Sequence, residues 1–239
     1  MPQRTGKKVA ILQSNYVPWK GYFDIIHSVD EFILYDEVQY TTDDWRNRNL
    51  IKTPAGTAWI SIPVSRKDHL TKKISEMTVG DRDWARRHWE RIKQTYRDAP
   101  CFSALAPTLQ SLYDAAAGEE FLSAVNFRFL KAICQLLGVT TKLSWSASYP
   151  GVGHKTERLV SICSQAGADV YLSGPAARSY IDESEFEKRS MNVEWMDYAG
   201  YPEYPQLFGP FTHQVSVLDL LFNTGPDAAF YIWGWRHPT

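Results

Sequence analysis

The chain has 239 residues, of which 44% are hydrophobic, 14% aromatic and 22% charged, and its formal net charge is −1. This length supports a proper core without disulfide or metal staples, and the balanced charge excludes a general attraction to nucleic acid or to an anionic membrane surface. No apolar run is long enough for a membrane-spanning helix, and three widely spaced cysteines do not make a disulfide framework. We therefore expect one domain over residues 1–239 in the reducing cytoplasm, with no DNA partner and no membrane insertion.

The N-terminal part of the chain predicts the smallest unit of a parallel α/β sheet. Val9 to Gln13 and Glu31 to Asp36 are short apolar runs typical of buried strands, and Tyr22 to Ser28 between them forms about two helical turns. Thr57 to Val64 alternates apolar and polar residues, which predicts a half-buried strand near an edge. Pro54 to Gly56 before it predicts a hairpin turn.

The middle of the chain changes to helical spacing, with three consecutive helices predicted over 83–96, 103–117 and 119–137. We interpret residues 80–138 as a helical insertion. Strands are then predicted over 140–146, 169–173 and 192–196, alternating with helices over 156–166, capped by Thr156, and 183–188. The predicted fold class is α/β, with a Rossmann-like parallel sheet and this helical insertion.

Polar and aromatic side chains concentrate in the loop after the first predicted strand. This loop stands where α/β folds bind ligands, outside the carboxyl ends of the strands, and Asp36 ends the second strand at the same edge. Amides, phenols and an indole can hydrogen-bond to or stack on a ligand, and glycine permits close backbone approach. We predict Asp36 as a catalytic base and substrate contacts from Gln13, Asn15, Tyr16, Trp19, Gly21, Tyr22 and Gln39.

Cationic side chains predict two places for a phosphate or carboxylate. Arg46 and Arg48 flank Asn47, with Trp45 before them and Lys52 close behind. Gly151 and Gly153 lead into a predicted helix beside Lys155, and Ser173 and Gly174 open the loop after a later strand. We predict ligand contacts from Trp45, Arg46, Asn47, Arg48, Lys155, Ser173 and Gly174; a solvated charged loop and a capped loop entry are the alternatives.

A proline-rich segment near the C-terminus, residues 201–210, presents Tyr204 and Gln206 on a stiff loop, and both are predicted to contact substrate. His213 precedes the final predicted helix and is the second candidate for catalytic acid–base chemistry; a capping or surface role is the alternative. No spacing predicts a metal site, a covalent nucleophile or a glycine-rich phosphate loop.

Several motifs stand in fixed order between Val9 and Gly225: NYxPWxGYF, YDxVQY, WRNRNxIKTPxG, GADVYLSGPAARSYI, YPQLFGPF and SVLDLLFNTG. In these motifs the chain resembles the WbqC-like family of bacteria. The family commonly has a proline at the position of Ser14 and often a histidine at that of Leu12. The junction around Asn15, Pro18, Gly21 and Tyr22 is also similar to that of nucleotidylyltransferase-type Rossmann-like folds, without their two signature histidines.

The resemblance implies a role in O-antigen or other surface-polysaccharide biosynthesis, with glycine transfer to an amino sugar as the suggested activity. We expect a transferase that moves an acyl or aminoacyl group onto an amino group of a nucleotide-linked sugar. The donor would be a thioester of an acyl-carrier protein, a coenzyme A thioester or a charged tRNA, and no cofactor is evident beyond that donor or ATP. The alternatives are ATP-dependent nucleotidyl transfer or ligation on the same fold, and a non-catalytic module that binds carbohydrate or nucleotide.

Overall fold

The computed structural model describes residues 6–65 and 71–236. Its seven strands are β1 (Lys8–Leu12), β2 (Glu31–Leu34), β3 (Arg48–Thr53), β4 (Gly56–Ser61), β5 (Lys142–Trp145), β6 (Val170–Ser173) and β7 (Asn192–Trp195). Its α-helices are α1 (Lys20–His27), α2 (Trp84–Tyr96), α3 (Phe102–Ala116), α4 (Leu122–Leu136), α5 (Lys155–Gln165), α6 (Glu183–Glu187) and α7 (Val217–Thr224). None of the helices within these two ranges is both long and apolar enough to cross a membrane.

Five strands form a parallel sheet in the order β5-β2-β1-β6-β7. The chain moves outward on one side from β1 through β2 to β5, and then crosses back to place β6 on the other side of β1. Numbered in chain order within this sheet, the strands read 3-2-1-4-5, as in the first five strands of a dinucleotide-binding fold. The prediction of a Rossmann-like α/β core is therefore confirmed.

Both faces of the central part of the sheet are covered, which explains why β1, β2 and β6 are mostly apolar runs. In β1, Val9 and Ile11 pack in the smaller core with α5 and α6, whereas Ala10 packs in the larger core with α1, α7 and the helices α2 to α4. All four residues of β2 are buried. A strand buried on both faces cannot alternate polar and apolar residues, so period two is absent here.

The hairpin β3–β4 forms a separate two-stranded antiparallel sheet, and Pro54 and Ala55 make the predicted turn between its strands. Asn47 lies just before β3 and contacts the segment after β4, because its side-chain Nδ2 donates to the carbonyl of Ile62 at 2.8 Å. Helices α2 to α4 lie between this hairpin and β5 in the chain. The hairpin and these helices pack against the loop that follows β1.

The predicted cap of α5 is wrong. The helix begins at Lys155, and the residue before it, His154, makes no side-chain capping bond. The hydroxyl of Thr156 instead accepts a hydrogen bond from the backbone of Asp182 at 3.2 Å. The backbone has positive φ at Gly153 (+82°) and at Lys155 (+48°). The helix begins one residue before the predicted start, so Thr156 lies inside its first turn.

Candidate functional site

A cleft of about 440 Å³ opens where β1 and β6 end side by side. The strand order reverses at this point. On one side of β1 the chain continues outward to β2 and β5, and it then returns to place β6 on the other side of β1. Open α/β sheets bind ligands in the crevice at such a switch point. We call this the switch-point cleft; it is lined by Ile11, Leu12, Gln13, Tyr35, Val38, Lys155, Leu159, Tyr171, Ser173, Gly174, Ala176, Ala177 and Tyr180.

Four predicted site residues meet in the switch-point cleft: Gln13, Lys155, Ser173 and Gly174. Lys155 is exposed and stands at the start of α5, where a cation and a helix N-terminus together favour an anionic group. Its backbone lies in the left-handed region at φ +48°, which L side chains rarely adopt. Strain of this kind is concentrated at ligand sites.

The two glycines before α5 serve packing. A Cβ on Gly151 would stand 2.8 Å from Cγ1 of Ile162, and a Cβ on Gly153 would stand 2.6 Å from the Glu157 carboxylate. Both contacts are too short for real Cβ atoms, so the glycines let this loop fold back on its own helix. The predicted anion site therefore depends on Lys155 and the helix terminus.

The loop after β1 is held by Arg46. Its guanidinium donates to Oδ1 of Asn15, to Oε1 of Gln13 at 3.1 Å and to Oδ2 of Asp44 at 3.1 Å. The side chain is only 11% exposed. Arg46 thus fixes the positions of two predicted binding amides, one of which faces the switch-point cleft.

The same loop carries strained backbone at Val17, which is fully buried and has φ +35°. A β-branched residue is a clear outlier in this region. Its carbonyl accepts from Nδ2 of Asn49 at 3.1 Å and from Oγ of Ser216 at 2.7 Å, and the next carbonyl, of Pro18, accepts from the backbone of Val217 at 2.9 Å. Segments distant in sequence therefore hold the loop in a conformation that it would not adopt alone.

A second cleft of about 420 Å³ lies on the other side of this loop, lined by Asn15, Pro18, Trp19, Trp45, Asn49 and Gln214. We call it the tryptophan cleft. Trp45 is 43% exposed, and its ring centroid is 5.4 Å from that of Trp59, which in turn carries the Arg48 guanidinium 4.4 Å above its ring. Every side chain that lines the cleft is uncharged, which suits a neutral ring with polar substituents.

Asp36 lines a third cavity of about 280 Å³, together with Glu37, Ser75, Phe121, Ser123, Ala124, Trp145, Ser146 and Ala147. We call it the Asp36 cavity. The carboxyl group is 1% exposed, and its Oδ1 accepts the backbone N–H of Ser14 at 2.8 Å. Burial raises the pKa of Asp36, and hydrogen bonding from Ser14 and Ser123 and the charge of Arg46 oppose that rise. A carboxylate with a raised pKa is a stronger base than an exposed aspartate.

The predicted cationic cluster does not converge on one point. Arg46 holds the β1 loop, Arg48 pairs with Asp43 at 3.0 Å and covers Trp59, and Nζ of Lys52 donates to Gln206 and Pro210.

The ring of Trp19 lies directly over Gly21, since a Cβ on Gly21 would stand 2.3 Å from that ring.

Several other predicted contacts lie in the core or on the surface away from these cavities. Tyr16 is fully buried with its hydroxyl 2.9 Å from Nδ1 of His88, and the hydroxyl of Tyr22 donates to the carbonyl of Gln13 at 2.7 Å. The side chain of Asn47 bridges Tyr40 and Ile62. Gln39 is exposed and forms an isolated bridge with Lys73.

The C-terminal candidates surround a different carboxylate, Asp219, which is fully buried. Tyr204 donates to its Oδ1 at 2.6 Å and Gln206 donates to the same oxygen at 2.7 Å. His213 is half-buried and packs against Phe211, with ring centroids 4.6 Å apart. Burial, followed by the charge of Lys20, lowers the pKa of His213. The two predicted catalytic residues therefore lie in separate places, Asp36 in its cavity and His213 beside Gln214 of the tryptophan cleft.

Sequence reasoning missed the residues of α4 and of the segment after β5 that face Asp36. Ser123 and Asn126 are buried, three positions apart on one face of α4, and Ser146 is buried immediately after β5. The signal was present in Asn126, a polar residue among the apolar positions of that face. Tyr35 and Tyr180 of the switch-point cleft were also missed.

A family model agrees with the motifs. The WbqC-like protein family model matches residues 13–231, which is most of the chain. The chain belongs to the WbqC-like protein family. It is also 50% identical over 226 residues, 95% of this chain and 97% of the relative, to "Uncharacterized protein Rv1507c" of Mycobacterium tuberculosis (strain ATCC 25618 / H37Rv). No solved structure matches the chain.

Proposed function

We propose that this member of the family is a transferase that binds a nucleotide-linked amino sugar and moves an acyl or aminoacyl group, such as glycyl, onto its amino group. The observation that carries the proposal is the switch-point cleft, which stands where sheets of this order bind nucleotides. Membership of the WbqC-like family agrees with a biosynthetic role. Surface polysaccharide is the product class that we propose.

The lining of the switch-point cleft suits the nucleotide part. Lys155 and the N-terminus of α5 supply positive potential for phosphate, while Tyr35 and Tyr180 supply aromatic surface for a base. Gln13 and Ser173 offer donors and acceptors for hydroxyl groups. The Asp36 cavity and the switch-point cleft are lined by consecutive residues, because Tyr35 lines the cleft and Asp36 lines the cavity.

In the proposed step the nitrogen lone pair of the sugar amine attacks the carbonyl carbon of the donor. A C–N bond forms, the bond from that carbon to the donor's leaving group breaks, and the leaving group departs with the bonding electron pair. The Asp36 carboxylate takes the proton whose loss from the bound ammonium group frees the nitrogen lone pair, and the proton that the nitrogen loses after the attack passes to the departing group. Positioning the two substrates and supplying one base carry the rate, so the step requires no covalent nucleophile on the protein.

A thermal-shift panel tests this proposal. Nucleotides, nucleotide amino sugars, coenzyme A thioesters and ATP with and without magnesium are each added to the wild-type protein. A ligand at a hundred times its dissociation constant raises the free energy of unfolding by about 2.7 kcal/mol. We expect stabilisation by a nucleotide amino sugar, weakened by Lys155→Ala and kept by Lys93→Ala, an exposed lysine on α2.

The same panel separates the alternatives. The anion-favouring start of α5 also favours ATP-dependent nucleotidyl transfer or ligation on this fold. Stabilisation by magnesium-ATP alone, followed by pyrophosphate release on turnover, would replace the acyl-transfer proposal with that one. Stabilisation by sugars or nucleotides with no conversion in the presence of every donor would leave a binding module.

A further inference from the structure

Four of the ten buried side-chain polar atoms that have no hydrogen-bond partner in the described part of the chain belong to residues at or next to the Asp36 cavity. They are Oδ2 of Asp36, Oγ of Ser123, Oγ of Ser146 and Oδ1 of Asn126. An unpaired buried polar atom costs about 1–3 kcal/mol of folding free energy. Native proteins keep few such atoms, and a group of them at one cavity calls for an explanation.

Three of these atoms belong to residues that line the Asp36 cavity, namely Asp36, Ser123 and Ser146. The fourth residue, Asn126, is joined to the cavity through Ser14, whose Oγ accepts from Nδ2 of Asn126 at 2.9 Å and whose backbone N–H donates to Asp36. The unpaired atoms thus form one group.

The residues that line the Asp36 cavity indicate the charge of its ligand. Asp36 and Glu37 contribute carboxyl groups, of which that of Glu37 is paired with Lys73 at 2.9 Å; three serines contribute hydroxyls, and the cavity-lining residues include neither lysine nor arginine. An anion would meet two carboxyl groups there. A donor-rich cation fits, because a carboxylate and hydroxyl oxygens all accept hydrogen bonds.

The number of hydrogen-bond acceptors in the cavity indicates which kind of cation binds there. A primary ammonium group has three N–H donors, and the cavity offers three acceptors: Oδ2 of Asp36, the Ser123 hydroxyl, which also stabilises the Asp36 carboxylate, and the Ser146 hydroxyl. The rings of Phe121 and Trp145 with Ala124 and Ala147 bound the rest of the cavity with apolar surface. That surface suits a small organic body attached to the ammonium group.

The cavity and the switch-point cleft are lined by neighbouring residues of one segment. Tyr35 and Val38 line the cleft, while Asp36 and Glu37 between them line the cavity. We propose that the Asp36 cavity is the subsite that binds the primary ammonium group of the amino sugar, an inference that rests on the proposed transferase function. The ammonium group would donate to Asp36, Ser123 and Ser146.

The test compares sugars that differ only at the nitrogen. Glucosamine, glucose, N-acetylglucosamine and magnesium chloride are titrated into the full chain, and binding is followed by NMR or calorimetry. We expect wild-type protein to bind glucosamine at least tenfold more tightly than glucose or N-acetylglucosamine. Asp36→Asn should weaken glucosamine binding at least tenfold and Ser146→Ala three- to tenfold, with no change for Asp114→Asn, an exposed carboxylate on α3.

Equal binding of glucosamine and glucose would overturn the subsite, and so would Asp36-dependent binding of magnesium in place of the amine. Ser123→Ala and Ser146→Ala keep the test decisive if Asp36→Asn does not fold, because they remove hydroxyls without changing charge. Amine binding with no transfer in any donor assay would retain the subsite and reject the proposed reaction. Transfer activity that does not depend on these serines would support the proposed reaction and reject the subsite.

Discussion

Gly21 shows how a motif residue can act through a neighbour. The sequence suggested that its missing side chain admits a ligand, whereas in the structure it admits the ring of Trp19, with a hypothetical Cβ only 2.3 Å from that ring. Trp19 in turn lines the tryptophan cleft and packs edge-on against Tyr198 at 5.2 Å. Gly21 therefore shapes the cleft by fixing a wall residue.

We expect Gly21→Ala to destabilise the protein, because an overpacked site costs about 1–3 kcal/mol and the gain in helix propensity in α1 returns at most about 1 kcal/mol. In a Trp19→Ala background the clash is gone, so the same change should become neutral or stabilising. Urea unfolding of the four proteins measures this coupling. Gly118→Ala is the control, since its Cβ would meet nothing closer than 3.8 Å. Additive effects of the two substitutions would contradict the packing role.

Polar residues explain why the candidate site was only partly predictable. Gln13, Ser173 and Gly174 were predicted from their places after strands and Lys155 from its place before a helix, and the sheet brings them together in one cleft. The partner that Arg46 would choose was not predictable, because its acceptors Gln13 and Asn15 are more than thirty residues away in sequence.

At the scale of elements, Glu31 joins the strands of the sheet. It begins β2, and it accepts hydrogen bonds from Lys7 before β1, from Ser144 in β5 at 2.6 Å and from Tyr149 after β5 at 2.5 Å. Burial alone would raise the pKa of Glu31, but these hydrogen bonds and the nearby Lys142 outweigh it and lower that pKa to about 2. The ionised carboxylate therefore stabilises the sheet.

We expect Glu31→Gln to lower the free energy of unfolding by about 2–3 kcal/mol at pH 7. Because the folded pKa lies below the unfolded one, this stabilisation is present above about pH 4.5 and is lost as pH falls toward 2. Urea unfolding of both proteins across pH 7 to 2 follows the loss. Glu194→Gln, which breaks an exposed ion pair with Lys8, should change stability by less than about 1 kcal/mol. A difference that does not depend on pH would assign the effect of Glu31 to packing.

The elements themselves were largely predictable, and their pairing was not. Short apolar runs predicted β1, β2 and β6, because strands buried on both faces leave that pattern. The alternation in β4 predicted a strand and Pro54 to Gly56 predicted a hairpin turn before it, but no local feature shows that this hairpin forms a sheet of its own. The residues of β3, from Arg48 to Thr53, were interpreted as a cationic segment since charge was their most evident property.

At the scale of the whole molecule, the helices α2 to α4 pack around the loop that forms the site. The hydroxyl of Tyr16 lies 2.9 Å from His88 of α2 and 2.8 Å from Tyr113 of α3. Asn126 of α4 donates to Ser14 and to the carbonyl of Arg46, each at 2.9 Å. These bonds place all three helices on the β1 loop.

This packing predicts that residues 80–138 do not unfold separately from the sheet. The larger core contains residues of β1, α1, the hairpin, α2 to α4 and α7 in one cluster, so opening the helices would expose the apolar face of the sheet. We expect urea unfolding to give coincident transitions by tryptophan fluorescence, which includes Trp84 and Trp89 of α2, and by far-UV circular dichroism.

Asn126→Ala sharpens this prediction, because it removes the donor that joins α4 to the β1 loop. If the molecule unfolds as one unit, the loss of these two buried bonds should lower both midpoints together, with a cost of about 1–3 kcal/mol. Two separated transitions, only one of which moves in Asn126→Ala, would make the helices an independent unit. In that case the strained loop at Val17 would need its support from Asn49 and Ser216 alone.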